Sequence, residues 1–187
     1  MTVTIVDPKT ALILIDLQEG IVSLPRVHSA AEVVGRAAEL AAAFRSNGLP
    51  VVLVNVDRGA PGRTEQGRRL MDPPQAWVQL VPELRQEPTD ILVTKKQWGA
   101  FTNTGLFETL TELGVTQVVI AGIATSMGVE STARSASELG FNVTLAIDAM
   151  TDTNEAAHKN GISHIFPRLG ETGTTDEILA LLAARRS

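Results

Sequence analysis

Short apolar runs alternate along this chain with longer segments in which apolar residues recur every three or four positions. The runs are rich in Val, Ile and Leu, and each is too short for a typical helix. Runs of this kind indicate strands that are buried on both faces of a sheet. Strands are predicted at 11–15, 51–56, 91–94, 118–122 and 143–147, with a sixth and shorter one at 164–166.

The segments between these runs have the spacing of helices. Segment 28–47 carries Ala, Val and Leu at helical intervals. Thr104 is placed to cap a helix over 104–113, and 174–177 forms a capping box for the last helix. Further helices are predicted from 131 onwards and at 154–160. A glycine is predicted to end the helix and precede the next strand at Gly48, Gly114, Gly140 and Gly161.

Alternation of strands and helices predicts βαβ units with right-handed crossovers and a mostly parallel sheet. We therefore predict an α/β fold, a three-layer, doubly wound, Rossmann-like arrangement around a six-stranded, mainly parallel sheet. The chain has 187 residues, enough for one complete core. No internal repeat, linker or low-complexity segment divides it, so a single domain over 1–187 is expected.

Composition narrows the classes of function. The formal net charge is −5, which argues against a nucleic-acid partner. The chain contains no cysteine, so disulfides, thiolate metal sites and thiol nucleophiles are excluded. It has neither a signal-peptide pattern nor an apolar run of about 18 residues, so a cytoplasmic protein without membrane contact is expected. Neither a P-loop nor a dinucleotide fingerprint is present.

Polar groups follow three of the predicted strands, at the edge where open α/β sheets bind ligands. Asp16 follows the first strand, Lys95 follows the third, and a small-residue turn at 122–128 follows the fourth. The N–H groups of such a turn before a helix hold negative charge well. If the strands are neighbours, these groups converge. Each group also has a structural alternative. Asp16 could cap a turn, Lys95 could be solvated with Lys96 as the functional lysine, and segment 122–128 could be an ordinary βα turn.

Ordered motifs along the chain resemble the isochorismatase-like hydrolases. They are LIDLQ at 14–18, KKQWGAFTNTGL at 95–106, AGIATSMGVESTA at 121–133 and the Asp-Ala pair at 148–149. The resemblance covers almost the whole chain. Most of that family are cysteine hydrolases with an Asp, Lys and Cys triad. The resemblance places the Asp at Asp16 and the Lys at Lys95, and it places Gly128 where the Cys would be.

The same resemblance implies further features of the site. A cis peptide is expected between Ile123 and Ala124, and the N–H groups of Ala124 and Gly128 would form an anion hole. The family also implies a homodimer or homotetramer that acts on a small-molecule substrate. The substrate- or anion-binding residues are then expected to be Gln18, Trp98, Phe101, Ala124 and Thr125.

The glycine at position 128 changes the expected chemistry, because no acyl-enzyme can form there. Ser126 and Ser131 lie two and three residues away and do not replace the sulfur by simple substitution. The isochorismatases proper also lack this Cys and are thought to use the Asp as a general acid on an enol ether carbon. Resemblance to them predicts a hydrolase that cleaves an enol-ether-type C–O bond of an isochorismate-like substrate, with Asp16 as the acid and Lys95 as its partner.

A long polar loop after the second strand offers groups for the substrate's carboxylates. It spans 57–74 and contains four arginines, and long loops in compact domains are often functional. Arginine pairs with carboxylates in a bidentate manner, so Arg58 and Arg63 are the candidates, with a solvated loop as the alternative. The other two arginines are Arg68 and Arg69.

No metal or cofactor is predicted. A family branch with metal-binding Asp and His residues after strand two is not matched, because no histidine lies between His28 and His158. The third histidine, His164, gives no ligand spacing with the others, and His158 is interpreted as structural. Two other functions stay open: an inactive binding or assembly protein that keeps the fold, and an amide or carbamoyl hydrolase that uses water.

Overall fold

The computed structural model describes residues 2–60, 62–65 and 72–185. Arg68 and Arg69 of the predicted polar loop lie outside the described residues. None of the helices in the described ranges is long and apolar enough to cross a membrane.

The core of the fold is a six-stranded, wholly parallel sheet with the strand order β3-β2-β1-β4-β5-β6. This confirms the predicted α/β architecture. The order reverses between β1 and β4, which pair side by side at the centre of the sheet with Ile15 opposite Gly122. Such a reversal creates a crevice at the carboxyl edge where ligands bind. The strands are β1 (Thr10–Ile15), β2 (Val51–Val56), β3 (Ile91–Lys95), β4 (Gln117–Ile123), β5 (Asn142–Thr151) and β6 (Glu171–Gly173).

Helices cover both faces of the sheet, because successive side chains of each strand point to opposite sides. In β1, Leu12 and Leu14 pack into one core with α2 and α8, whereas Ala11, Ile13 and Ile15 pack into a second core with α4, α5 and α7. The α-helices are α1 (Glu19–Val22), α2 (Ala30–Ser46), α3 (Gln75–Val78), α4 (Leu106–Glu112), α5 (Glu130–Glu138), α6 (Glu155–Asn160), α7 (Phe166–Leu169) and α8 (Thr175–Ala184).

The predicted sixth strand is wrong. Residues 164–166 belong to a π-helical turn, Gly161–Ile165, and to the start of α7, while the strand forms at Glu171–Gly173. The α-helix α6 ends at Asn160 with Gly161 as its C-cap, as predicted, but Gly161 has a helical φ of −55° and the chain continues into the π-helical turn. A Cβ at Gly161 would lie 3.4 Å from Thr125 Cγ2, which is an ordinary van der Waals contact. The other three predicted stops, at Gly48, Gly114 and Gly140, do adopt positive φ.

The other predicted strands and helices are present in the structure, and their first and last residues differ from the prediction by a few positions. Gly105, with a φ of 73°, occupies the N-cap position of α4. Oγ1 of Thr104, one residue earlier, accepts from the N–H of Leu106 at 3.4 Å and donates to the carbonyl of Ala100. The predicted capping box of α8 is confirmed by reciprocal hydrogen bonds between Thr174 and Glu177. The strand predicted at 143–147 is longer than expected because a bulge carries β5 on to Thr151.

Candidate active site

Asp16 is the first residue after β1, and the backbone turns sharply there. Its φ is 52°, a left-handed conformation that few residues other than glycine adopt. The N–H of Asp16 donates to the carbonyl of Val54 at 2.9 Å, so β2 holds this turn in place. The side chain is almost fully buried, with 6% of the residue exposed.

Lys95 ends β3 and reaches Asp16 across the intervening strand. Its Nζ donates to Oδ2 of Asp16 at 2.6 Å and to the carbonyl of Gln97 at 3.2 Å. Only 2% of Lys95 is exposed, so the ion pair is shielded from water. A lysine at this position spans the width of one strand, which places its ammonium at the crevice between β1 and β4.

The ionisation of Asp16 is strongly perturbed. Burial raises its pKa from 3.8 to about 6, although the charge and the hydrogen bond of Lys95 act in the opposite direction. Lys95 occupies Oδ2, whereas Oδ1 is buried and has no hydrogen-bond partner among the described residues. The site therefore contains a carboxyl oxygen that can exchange a proton near neutral pH and that no other protein group uses.

The turn after β4 forms the opposite wall of the crevice. The peptide between Ile123 and Ala124 is cis, as predicted, and a π-helical turn follows at Thr125–Val129. The N–H groups of Met127 and Val129 both donate to the carbonyl of Ala124.

Asp152, which follows β5, and His158 of α6 hold this turn in place through hydrogen bonds. The N–H and Oγ of Ser126 donate to Oδ2 of Asp152 at 2.7 and 2.8 Å. Oγ1 of Thr125 lies 2.8 Å from Nδ1 of His158. Ser126 and Thr125 therefore serve the rigidity of the turn, and neither lines the cavity in front of it.

Gly128 packs closely against residues of the other elements of the site. A Cβ built there would lie 2.8 Å from Cγ2 of Ile15, 3.3 Å from Oδ2 of Asp16 and 3.5 Å from the carbonyl oxygen of Trp98. The space that a side chain at this position would need is thus partly filled by Ile15. The geometry also places position 128 directly against the Asp16 carboxylate.

A cavity of about 290 Å³ opens in front of these groups. Of the residues named from the sequence, it brings together Asp16, Lys95, Gly128, Ala124, Trp98 and Arg58. Most of the other lining residues are apolar, which is typical of small-molecule sites. They include Ile21, Leu24, Val56, Ile123 and Met127.

Four residues named from the sequence lie outside the cavity lining. The buried amide of Gln18 bonds to the backbone of Val56 and of Trp77, and Phe101 stacks on Phe141. Thr125 contacts His158, as described above. Arg63 is exposed on the loop. The described contacts of Gln18, Phe101 and Thr125 are those of residues that hold elements together.

Arg26 lines the cavity and was missed by the sequence reasoning. It lies in the connection between α1 and α2, which leaves the carboxyl end of β1. That position is the signal that could have identified it, because loops at this edge surround the ligand site. No motif includes it, and only the path of the loop brings Arg26 to the cavity.

Metal-binding potential was assessed within residues 2–60, 62–65 and 72–185. No group of three His, Asp or Glu side chains there is placed to hold a metal ion. The rings of His28 and His158 lie 4.7 Å apart between centroids with their planes tilted by 55°, and Nδ1 of His158 is 2.8 Å from Oγ1 of Thr125. The expectation that no metal is needed stays a prediction.

Comparisons with known proteins place this geometry in a family. The isochorismatase domain model matches residues 10–177. The isochorismatase family protein YecD of Escherichia coli O157:H7 is 43% identical over 180 residues, which cover 92% of this chain and 96% of that protein. The structure of an isochorismatase family protein from Burkholderia thailandensis aligns with a TM-score of 0.90 and 40% identity, covering 96% of this chain and 98% of that one.

A more distant relative has a stated activity. The ureidoacrylate amidohydrolase RutB of Methylobacterium radiotolerans is 31% identical over 191 residues, which cover 85% of this chain and 74% of that enzyme. The chain belongs to the isochorismatase family of hydrolases.

Proposed function

We propose that this protein cleaves an enol-ether-type C–O bond of a small, isochorismate-like substrate, with Asp16 as the general acid and without a covalent intermediate. The observation that carries this proposal is the state of Asp16. Its pKa is raised to about 6 by burial, Lys95 holds Oδ2, and Oδ1 faces no other hydrogen-bond partner among the described residues. A carboxyl group in this state can deliver a proton near neutral pH.

The reaction begins with transfer of the proton from Oδ1 of Asp16 to the terminal carbon of the enol ether. The positive charge then rests on the carbon bonded to the ether oxygen. Water adds to that carbon, and its released proton returns to Asp16. Collapse of the resulting hemiketal breaks the C–O bond and yields a ketone and an alcohol, so the step needs no oxidant, metal or thiol.

Other residues of the site support this chemistry in distinct ways. Lys95 stabilises the carboxylate that remains after the proton leaves, because its ammonium lies 2.6 Å from Oδ2. The N–H groups of Ala124 and Gly128 are proposed to hold a negatively charged group of the substrate. Trp98 and Arg58 are proposed to contact the substrate at the cavity wall. Gln18, Phe101 and Thr125 are proposed to act indirectly, by positioning the walls.

The lack of a cysteine at position 128 favours a mechanism without an acyl-enzyme. The chain has no cysteine, and Gly128 offers no side chain. Ser126 is bonded to Asp152 and does not line the cavity. The hydroxyl that does line the described cavity is that of Thr153, next to the Asp152 carboxylate.

The decisive experiment is a substrate screen with Asp16→Asn as the matched variant. The wild type is expected to hydrolyse isochorismate and to leave simple amides and N-carbamoyl compounds intact. Asp16→Asn should retain the fold, measured by circular dichroism, and lose about 10²–10⁴-fold in kcat, since the amide cannot supply the proton. Full activity in Asp16→Asn would show that another group is the acid.

A second candidate function is amide hydrolysis by water, and the relationship to the amidohydrolase RutB favours it. Ionised Asp16 would then take a proton from water, and the N–H groups of Ala124 and Gly128 would hold the oxyanion. Efficient amide hydrolysis by the wild type, with no covalent adduct by mass spectrometry, would select this function over C–O cleavage.

A third candidate is a binding or assembly protein without turnover. The buried Asp16–Lys95 pair argues against it, because a pure scaffold gains little from burying two charges. Inactivity on all three substrate classes would favour it. We also expect a homodimer or homotetramer, and light scattering of the purified protein tests that expectation.

A further inference from the structure

Arg26 is a partly buried cation without a carboxylate partner in the described part of the chain. Its NH1 and NH2 groups donate to the carbonyls of Pro25 and Ile21, at 2.9 and 2.7 Å. Nε is buried and has no hydrogen-bond partner there. Among the described residues, the guanidinium thus donates to two neutral carbonyls, one in α1 and one in the connection that follows it, and no carboxylate contacts it directly.

Other arginines of this chain show what a satisfied guanidinium looks like. Arg45, also largely buried, forms a bidentate pair with Asp90 through Nε and NH2, at 2.9 and 2.8 Å. Arg134 pairs with Glu130 at 2.9 Å. A buried charge normally has such a partner, because burial without one is costly. Arg26 is therefore in a state that a bound anion would complete.

Asp152 is the carboxylate whose charge acts on Arg26, but its oxygens already accept hydrogen bonds from other groups. Burial lowers the pKa of Arg26, and Asp152 acts in the opposite direction. Both oxygens of Asp152 accept hydrogen bonds from other groups, Oδ2 from Ser126 and Oδ1 from Thr153 and Asn154. Asp152 is thus held in place by the turn, and no ion pair joins it to Arg26.

Positive charge is in excess along the cavity wall. Three cations and one carboxylate line it: Lys95, Arg26, Arg58 and Asp16. Lys95 is paired with Asp16, and Nε of Arg58 lies 3.4 Å from Oδ1 of Asp57. Of these three cations, Arg26 is the one without a carboxylate partner among the described residues. A cavity of about 290 Å³ with a surplus cation and apolar walls suits a small organic anion.

We propose that Arg26 forms a specificity subsite for a carboxylate of the substrate, so that the cavity selects small organic acids over their neutral amides. The proposal rests on the proposed function only in assuming that this cavity is the substrate site. In this proposal, Arg26, in the connection between α1 and α2, binds the carboxylate. Arg58, on the loop after β2, is a second cation of the cavity wall that the substrate would contact. Arginine suits this role because its planar fork matches a carboxylate in bidentate geometry.

The test uses benzoate and its neutral isostere benzamide as probes. Dissociation constants are measured by calorimetry at pH 7 and low ionic strength for the wild type, Arg26→Gln, Arg26→Lys and Arg168→Gln. Arg168 is exposed on α7, outside the cavity lining, so this last variant removes the same charge from the surface. The wild type should bind benzoate at least about tenfold more tightly than benzamide.

Arg26→Gln should weaken benzoate binding about 10- to 100-fold and change benzamide binding less than about twofold. Arg26→Lys should lose less, because it keeps the charge but not the fork. Arg168→Gln should match the wild type. No benzoate preference in the wild type, or the same preference in Arg26→Gln, overturns the proposal. If Arg26→Gln does not fold, Arg26→Met takes its place, and an unchanged benzoate preference in that variant overturns the proposal.

Two further outcomes separate this proposal from the proposed function. An Arg26-dependent preference for benzoate, in a protein inactive on every enol ether, supports the subsite and refutes the reaction. Isochorismate hydrolysis with an unchanged KM in Arg26→Gln refutes the subsite and supports the reaction. Asp16→Asn should keep the benzoate preference, because its acid function is separate from anion binding.

Discussion

The direction of the pH dependence distinguishes an acid from a base at Asp16. With a pKa of about 6, the fraction of protonated Asp16 is about 0.5 at pH 6 and about 0.01 at pH 8. If the protonated form donates to carbon, kcat/KM for an enol ether should fall about 50-fold between these pH values. An ordinary aspartate with a pKa of 3.8 would be protonated about 100-fold less often at pH 7.

The assay follows the loss of isochorismate by ultraviolet absorbance from pH 5 to pH 8, with the rate in buffer subtracted. Asp16→Asn should show a flat profile at the level of residual turnover. Asp176→Asn is the matched control, because Asp176 is an exposed carboxylate on α8. It should reproduce the wild-type profile.

Two results would refute this reasoning. A rate that rises as pH passes through about 6 would mean that ionised Asp16 acts as a base, as amide hydrolysis by water requires. A rate independent of pH from 5 to 8 would mean that Asp16 does not transfer the proton in the rate-determining step. Either result would leave the fold unaffected.

The remaining predictions test the partners of Asp16 and the space at position 128. Lys95→Met removes a group that lowers the pKa of Asp16, so the fall of activity should move to higher pH, visible in the same pH profile. Because the folded pKa of Asp16 exceeds 3.8, its protonation stabilises the fold, fully so below pH 3.8, and this contribution should be lost as pH rises through about 6; urea unfolding should show a loss of about 2 kcal/mol between pH 4 and 7 relative to Asp16→Asn. Gly128→Cys should lose about 1–3 kcal/mol of stability in urea unfolding, because its Cβ would lie 2.8 Å from Cγ2 of Ile15. The same variant should lose C–O cleavage through crowding and react with iodoacetamide faster than free cysteine, beside Asp16 and Lys95, in a mass-spectrometric assay. Activity should survive EDTA, and loss that Zn²⁺ or Mn²⁺ restores would contradict the expectation of a metal-free site.

Much of the fold follows from the sequence because a parallel sheet buries both faces of its strands. Runs 11–15 and 51–54 are apolar at every position for that reason, and the structure makes them strands. Asp16 and Lys95 could be placed at one edge for a related reason, since the carboxyl ends of parallel strands share that edge. The sequence pattern predicts secondary structure less well where tertiary packing determines the backbone conformation. Segment 164–166 is apolar enough for a strand, yet it forms helical turns, and Phe166 is fully buried in the core shared with α4 and α5.

The chemistry of the site depended on distances that no spacing in the sequence encodes. The sequence by itself determined which groups were available: a carboxylate, a lysine, a glycine turn and no thiol. Only the tertiary structure decided that burial outweighs Lys95 and raises the pKa of Asp16, because that balance depends on solvent access to both side chains. Tertiary structure also placed Arg26 at the cavity and Phe101 against Phe141, outside the lining, since the path of each loop fixes these contacts.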